Sequence, residues 1–259
     1  MKATFSGSSI ASPEALARAL RIDLQDLRTI AGSASSRYSD FSVPKKDGSA
    51  RLVSGPKPEL KLLQKRVNRQ LFERVKFPPY LYGGIAERDY VQNATEHSDA
   101  EVAIALDITN FFPNIKRQLV LELFKHFFRF SADVAEILAD LCTKDGVVPQ
   151  GACTSTYVAN LVFWQYEPRL VAQLAEQRLV YTRLIDDITI SSVKPLPQKR
   201  VEGVVKSVAA MLGLGGFKIK KRKTRITSAS NPKDLMEVTG LWLNRGKPRV
   251  QKLERIDIR

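Results

Sequence analysis

The sequence predicts an α+β fold, with helices covering one face of an antiparallel sheet. Three observations carry that expectation. Helix-like and strand-like segments follow in the order helical N-terminus, hairpin, helix, strand, helices, hairpin, helix, strands. The run "EVAIALDITNFFPNI" is apolar up to Asp107, as a buried strand would be, and the β-prone pieces "LVYTRL" and "ITISS" flank a short turn. With 259 residues and 44% hydrophobic composition, the chain can build a substantial core, in one large domain or two small ones.

Each element has a local reason. "SPEALARAL" offers Ser12 as an N-cap and Pro13 at the first helical position. "SVPKKDGSARLVSGP" reads as a hairpin turning at Asp47 and Gly48. The helix "PELKLLQKRVNRQLFERV" has Leu60, Leu63, Val67 and Leu71 on its apolar stripe, while Lys57, Lys61, Lys65 and Arg69 recur every four residues and share one face. That face suits either solvent or a track of phosphates. Asp107 ends a strand, and the chain turns helical after Pro113. A helical region follows around 117–141, then the loop "DGVVPQGACTS" and a second helix, "STYVANLVFWQYEPRLVAQLAEQ". A hairpin at 179–192, a helix near 198–213 and two strand-rich pieces complete the order. In one of them Lys218, Lys220, Lys221, Arg222, Lys223 and Arg225 alternate about a strand, so both of its faces carry charge.

Lys and Arg number 41 against 27 acids, a formal net charge of +14. Such an excess points to a polyanionic partner, nucleic acid first and a membrane surface second. No apolar span approaches 20 residues and no basic-flanked amphipathic helix is apparent, which disfavours a membrane. The start lacks a signal-peptide apolar core, and Cys142 and Cys153 form no zinc-binding pattern. A reduced, cytoplasmic protein is expected.

The chemistry centres on carboxylates. Asp favours turns, so "IDD" at 185–187 is compatible with an ordinary hairpin tip. Asp107 changes the balance, because an acid is not a preferred strand residue. If that strand lies beside the hairpin, Asp107 and Asp186 converge, and converging carboxylates need a hard cation such as Mg²⁺. Alternation along a strand predicts that Asp187 points away from Asp186 and contributes less directly.

Taken together, "ALDITNFFPNI", "VVPQGACTS" and "RLIDDITIS" resemble reverse-transcriptase motifs in order and spacing. More narrowly, the chain resembles the retron reverse transcriptases. "NATEH" (Asn93, Ala94, His97) matches their Asn-Ala-x-x-His element, and "VTGL" (Val238, Thr239, Gly240) matches their Val-Thr-Gly element. "PKKDGSARLVSGPKPELKLLQKRV" is similar to the fingers of the same group. The likeness covers roughly residues 10–250. The family's hairpin usually reads Tyr-Ala-Asp-Asp, whereas Leu184 and Ile185 stand here; after Pro-Gln-Gly it commonly has Ser-Pro, whereas Ser155 and Thr156 stand here.

The resemblance implies a right-hand polymerase fold with fingers and palm, the antiparallel palm sheet backed by helices. The expected division is a helical segment at 1–40, fingers at 41–100, palm with fingers elements at 101–244, and a basic tail or thumb remnant at 245–259. Only 15 residues follow "VTGLWLN", so the thumb is expected to be missing or much reduced, with "QKLERIDIR" as a short helix. The implied metal ligands are Asp107, Ile108, Asp186 and Asp187, holding two Mg²⁺ ions (or Mn²⁺ in vitro). Lys46, Arg51, Phe112, Gln150, Gly151 and Lys223 are implied to bind the incoming dNTP, with Phe112 as the gate against a ribose 2′-hydroxyl. Arg supplies a bidentate fork for phosphate and Lys a point charge. Lys57, Lys61, Lys65, Arg69, Lys218, Lys220 and Arg222 are expected to hold nucleic acid. His97 is expected to be structural.

The implied activity is RNA-directed DNA synthesis on a cognate structured noncoding RNA, in antiphage defence with an effector protein. Two rivals stand beside it. A catalytically impaired RNA-binding module draws support from Leu184 and Ile185, and an intron-type reverse transcriptase is disfavoured by the Asn-Ala-x-x-His and Val-Thr-Gly elements.

Overall fold

The computed structural model describes residues 1–44, 48, 50–231, 233–243 and 248–250. Lys46 and the expected helix at 251–259 lie outside the described residues. The order begins with β1 (Thr4–Phe5), α1 (Pro13–Leu20), α2 (Leu24–Gly32), β2 (Tyr38–Pro44), β3 (Ala50–Pro56), α3 (Pro58–Gln70) and β4 (Val75–Lys76). It continues through α4 (Tyr90–Thr95), β5 (Val102–Asp107), α5 (Phe111–Asn114), α6 (Arg117–Glu122), α7 (Ala132–Cys142), α8 (Ser155–Leu161) and α9 (Glu167–Glu176). The remaining elements are β6 (Val180–Leu184), β7 (Asp187–Ser192), α10 (Gln198–Leu214), β8 (Arg225–Ser228), β9 (Glu237–Val238), β10 (Leu241–Trp242) and β11 (Arg249–Val250). No helix among the described residues is long and apolar enough to cross a membrane.

Two compact units interleave along the chain. One comprises Ala3–Phe77 and Asn110–Val162. Its α1 starts as the sequence predicts, with the Ser12 hydroxyl accepting from the Ala15 N–H. Leu60, Leu63 and Val67 of α3 are buried, as are Phe72, Phe124, Phe128 and Phe130, whose rings pack edge-on, tilted or stacked. The β2–β3 hairpin pairs in register from Tyr38 with Pro56 to Pro44 with Ala50. Gly48 in its turn sits at φ +79°, which favours glycine.

The other unit comprises Met1–Lys2, Pro78–Thr109 and Phe163–Arg259. Its centre is a four-stranded antiparallel sheet in the order β6-β7-β5-β8. Ile104, Leu106, Ile188 and Ile190 are buried in it. A second small sheet runs β11-β10-β9.

Two elements differ from expectation. The helix read across 155–177 is two helices, α8 and α9, because Pro168 lacks the N–H to continue a ladder and restarts it instead. The basic run at 218–225 is not a continuous strand. Lys221–Lys223 forms a 3₁₀ turn before β8 begins, which spreads cations that alternation would have stacked on each face.

Candidate active site

β5 lies beside β7 in a register that places Asp107 directly opposite Asp187. Directly opposed residues of neighbouring strands project on the same face, so these two carboxylates form the pair across the ladder. The register thus sets Asp187, expected to point away from Asp186 and contribute less directly, across from Asp107. Alternation holds inside β7, but Asp186 is not in the strand; it occupies the turn, where its carbonyl accepts from the Ile108 N–H at 3.1 Å.

The turn is held at three points. Ile185 adopts φ +59°, a left-handed conformation costly for a β-branched residue. The buried Arg183 guanidinium donates to the Ile185 carbonyl at 2.9 Å and forms an ion pair with buried Glu167 at 2.6 Å. Burial works against that charge and Glu167 outweighs it, leaving the guanidinium more firmly protonated than usual. Gly83 closes the other side: a Cβ there would lie 2.4 Å from Ile185 Cγ1. Arg183, Glu167 and Gly83 were missed by sequence reasoning. The local trace of Arg183 and Glu167 is charge within two largely apolar runs, "LVYTRL" and "VFWQYEPRL"; Gly83 left none.

The Lys223 ammonium sits 2.5 Å from Asp107 Oδ2. Its hydrogen bond to Asp107 raises its pKa above the usual lysine range, and the charges of Asp107, Asp187 and Asp186 add to the effect. Lys220 donates its N–H to the Asp107 carbonyl, and Thr109 donates to the Lys218 carbonyl, so the basic segment runs alongside the end of β5. The side chains of Lys218, Lys220 and Arg222 are exposed.

These carboxylates open into a ≈ 320 Å³ cavity, also bordered by Leu184, Arg225, Glu237, Thr239 and Gly240. The Val-Thr-Gly element thus borders the same cavity as Asp107 and Asp187. It is joined to the Asn-Ala-x-x-His element: Ala94 and Val238 share an apolar cluster, and the Thr239 hydroxyl donates to the Tyr90 carbonyl. His97 is buried, its Nδ1 2.7 Å from Ser191 Oγ and its Nε2 2.7 Å from Thr182 Oγ1. One side chain therefore ties both strands of the hairpin that carries Asp186 and Asp187. Asn93 is buried four positions earlier, and its side-chain amide has no hydrogen-bond partner among the described residues.

Among the described residues no three His, Cys, Asp or Glu side chains are gathered into a ready-made cage. Two facing carboxylates, of which the ammonium offsets only one charge, nevertheless fit a hard cation, since Mg²⁺ commonly takes only one or two protein carboxylates and fills its shell with water and substrate phosphates.

The other unit holds the remaining predicted residues. Phe111 is buried and Phe112 half-buried, their centroids 5.7 Å apart. Arg51 is exposed on β3, opposite Val43. The Gln150 carbonyl accepts from the Ser54 N–H at 2.8 Å, and Gly151, at φ +113°, lies so close to Val53 and Ser54 that a Cβ would collide. Gln64 and Asn68 of α3 fasten this loop by hydrogen bonds to the Cys153 backbone. Lys57, Lys61, Lys65 and Arg69 are all exposed; Lys57 precedes the helix and its ammonium donates to the Ser36 carbonyl.

Comparison with known proteins decides the family. Residues 43–246 match the reverse transcriptase (RNA-dependent DNA polymerase) family. The chain is 39% identical to the Retron Se72 reverse transcriptase of Salmonella heidelberg (strain 579083-10), over all of this chain and 68% of that protein. It belongs to the retron reverse transcriptases.

As a member of that family, this reverse transcriptase is an RNA-directed DNA polymerase. It is also 36% identical to the Retron Ec48 reverse transcriptase of Escherichia coli, over 95% of this chain and 62% of that one. Apo telomerase from Candida Tropicalis, truncated of its C-terminal domain, superposes with a TM-score of 0.55 at 11% identity, over 84% of this chain and 55% of its own. Telomerase from Candida albicans in complex with a fragment of telomeric RNA gives 0.55 at 10%, over 81% and 45%. At such identities these likenesses show the fold alone, a reverse-transcriptase-like polymerase fold of mixed helices and sheets.

Proposed function

We propose that this reverse transcriptase copies a cognate structured noncoding RNA into DNA by two-metal nucleotidyl transfer in the cytoplasm, serving antiphage defence with an effector protein. In this reading the four-stranded sheet is the palm and the β2–β3 hairpin with α3 belongs to the fingers. The observation that carries it is the register placing Asp107 opposite Asp187, with the Lys223 ammonium on Asp107.

Asp107, Asp187, Asp186 and the Ile108 backbone would hold Mg²⁺, which supplies charge stabilisation to the attacking and leaving oxygens of a phosphoryl transfer. The chain's own residues do the rest. Asp107 and Asp187 fix where the dNTP α-phosphate meets the 3′ end or a priming RNA hydroxyl. Lys223, held protonated by Asp107, is placed to give a proton to the departing pyrophosphate. Arg51, with Lys46, grips the triphosphate, Gln150 and Gly151 line the nucleotide, and Phe112 excludes the ribose 2′-hydroxyl. Lys218, Lys220 and Arg222 follow the phosphates of the duplex.

Asp107→Asn and Asp187→Asn should each lower DNA synthesis about 10²–10³-fold in a primer-extension assay, the order of magnitude expected when transition-state electrostatics are removed. RNA binding, which rests on the cationic surface, should persist in both. Synthesis at the wild-type rate by either variant would remove the catalytic reading.

A further inference from the structure

The end of α1, the last turn of α3 and the segment after it enclose a ≈ 340 Å³ pocket whose lining includes Arg21, Arg66, Arg69, Gln70 and Arg74. Among the described residues none that lines it is acidic or aromatic. Among the described residues none of the four arginines forms an ion pair. A concave site lined by one sign of charge focuses its field and concentrates counter-ions. Guanidinium groups match phosphate through paired N–H donors.

The local geometry shows which arginines are structural and which are spare. Arg66 Nη1 donates to the carbonyls of Leu20 and Arg21, satisfying orphan acceptors at the end of α1. Arg74 is steadied by Gln70 Oε1 at 3.2 Å. Arg69 makes no side-chain hydrogen bond among the described residues. Arg21 caps α1 at φ 52° and ψ 51°, a left-handed position where glycine is the cheap residue. An arginine there is disfavoured relative to glycine, so removing its side chain relieves backbone strain.

We propose that this pocket grips the phosphodiester backbone of a structured RNA, at a site separate from the catalytic carboxylates. The inference rests on the RNA-copying reading above and gives it a second point of attachment. Among the described residues no aromatic ring lines the pocket, and its four guanidinium groups favour sequence-independent binding of the phosphate backbone over capture of a base. Arg21 precedes the stretch matching the reverse transcriptase family, so the grip includes a part of the chain outside that match.

The test uses the full chain and a fluorescent RNA hairpin of about 20 base pairs, titrated by anisotropy across a KCl series. Arg21→Gly relieves the left-handed strain and should leave the melting temperature equal or higher, while Arg74→Gln removes a second charge. Together they should weaken hairpin binding roughly tenfold near 150 mM KCl. They should also flatten the slope of log K against log salt by about 0.7–0.9 for each phosphate that the variant no longer neutralises. Unchanged affinity and slope in a double variant whose wild-type parent binds RNA and extends primers would overturn this inference alone. A wild type that neither binds the hairpin nor extends a primer would defeat the RNA-copying reading as well. Inorganic phosphate that stabilises the wild type but not the variant, with hairpin affinity equal in both, would mean the pocket takes free phosphate and would also overturn it.

Discussion

At the scale of single residues, the turn before the carboxylates is the most sensitive place. Gly83 has no room for a side chain, because a Cβ would meet Ile185 Cγ1 and Cδ1 at 2.4 and 2.5 Å. Gly83→Ala should therefore displace the turn and cost about 1–3 kcal/mol in stability, as overpacking does. DNA synthesis should fall with it. Adding Ile185→Ala removes both clashing atoms and should restore part of the loss, although the Ile185 nitrogen at 2.9 Å remains. If the double variant is no better than Gly83→Ala in melting temperature or primer extension, the clash is not what makes glycine necessary. Phe112 is a second case. Buried Phe111 has the packing role, leaving half-buried Phe112 available to face a nucleotide. Phe112→Val should raise ribonucleotide relative to deoxyribonucleotide incorporation about tenfold or more, a discrimination of roughly 1.4 kcal/mol or above. An unchanged ratio would assign Phe112 to packing.

Between elements, His97 is the fastener of the hairpin that bears Asp186 and Asp187. It links β6 through Thr182 and β7 through Ser191, and burial pushes its pKa down to about 4. In the unfolded chain the imidazole titrates near 6.5. Above that pH neither state binds the proton. As pH falls from about 6.5 towards about 4, the unfolded chain takes up a proton that the folded protein refuses, so stability declines by up to about 1.4 kcal/mol per pH unit. The wild-type melting temperature should therefore drop over that window. His97→Gln should start lower at pH 7.5, having lost a well-packed bridge, yet decline less steeply in acid. Parallel curves for the two proteins would show that His97 does not govern the acid response.

For the whole molecule, a net charge of +14 means that nucleic acid is held largely by counter-ion release. If the row Lys57, Lys61, Lys65 and Arg69 neutralises one phosphate per side chain, its share of the loss in RNA binding between 50 and 200 mM salt should be about 10²-fold. Replacing Lys61 and Lys65 by glutamine should flatten that dependence; a slope indifferent to both would place the row in solvent. The row along α3 and the carboxylates lie at different points of the chain, so substitutions in that row should lower binding without removing the carboxylates.

What the sequence determined by itself is local or ordered along the chain. The Ser12 cap, the α3 stripe, the strand ending at Asp107 and the hairpin bearing Asp186 and Asp187 depend on periodicity and turn chemistry that neighbouring residues carry. The order of the motifs was enough to reach the retron reverse transcriptases. Tertiary structure decided the rest. Strand register chose Asp187 rather than Asp186 as the residue opposite Asp107. The fold brought Lys223 to Asp107 across 116 positions and His97 to Thr182 across 85. It also joined Arg21 to the end of α3 and set the Asn-Ala-x-x-His element against the Val-Thr-Gly element. Periodicity reports which face of a segment is buried; which partner meets that face is fixed only when strands pair and helices pack.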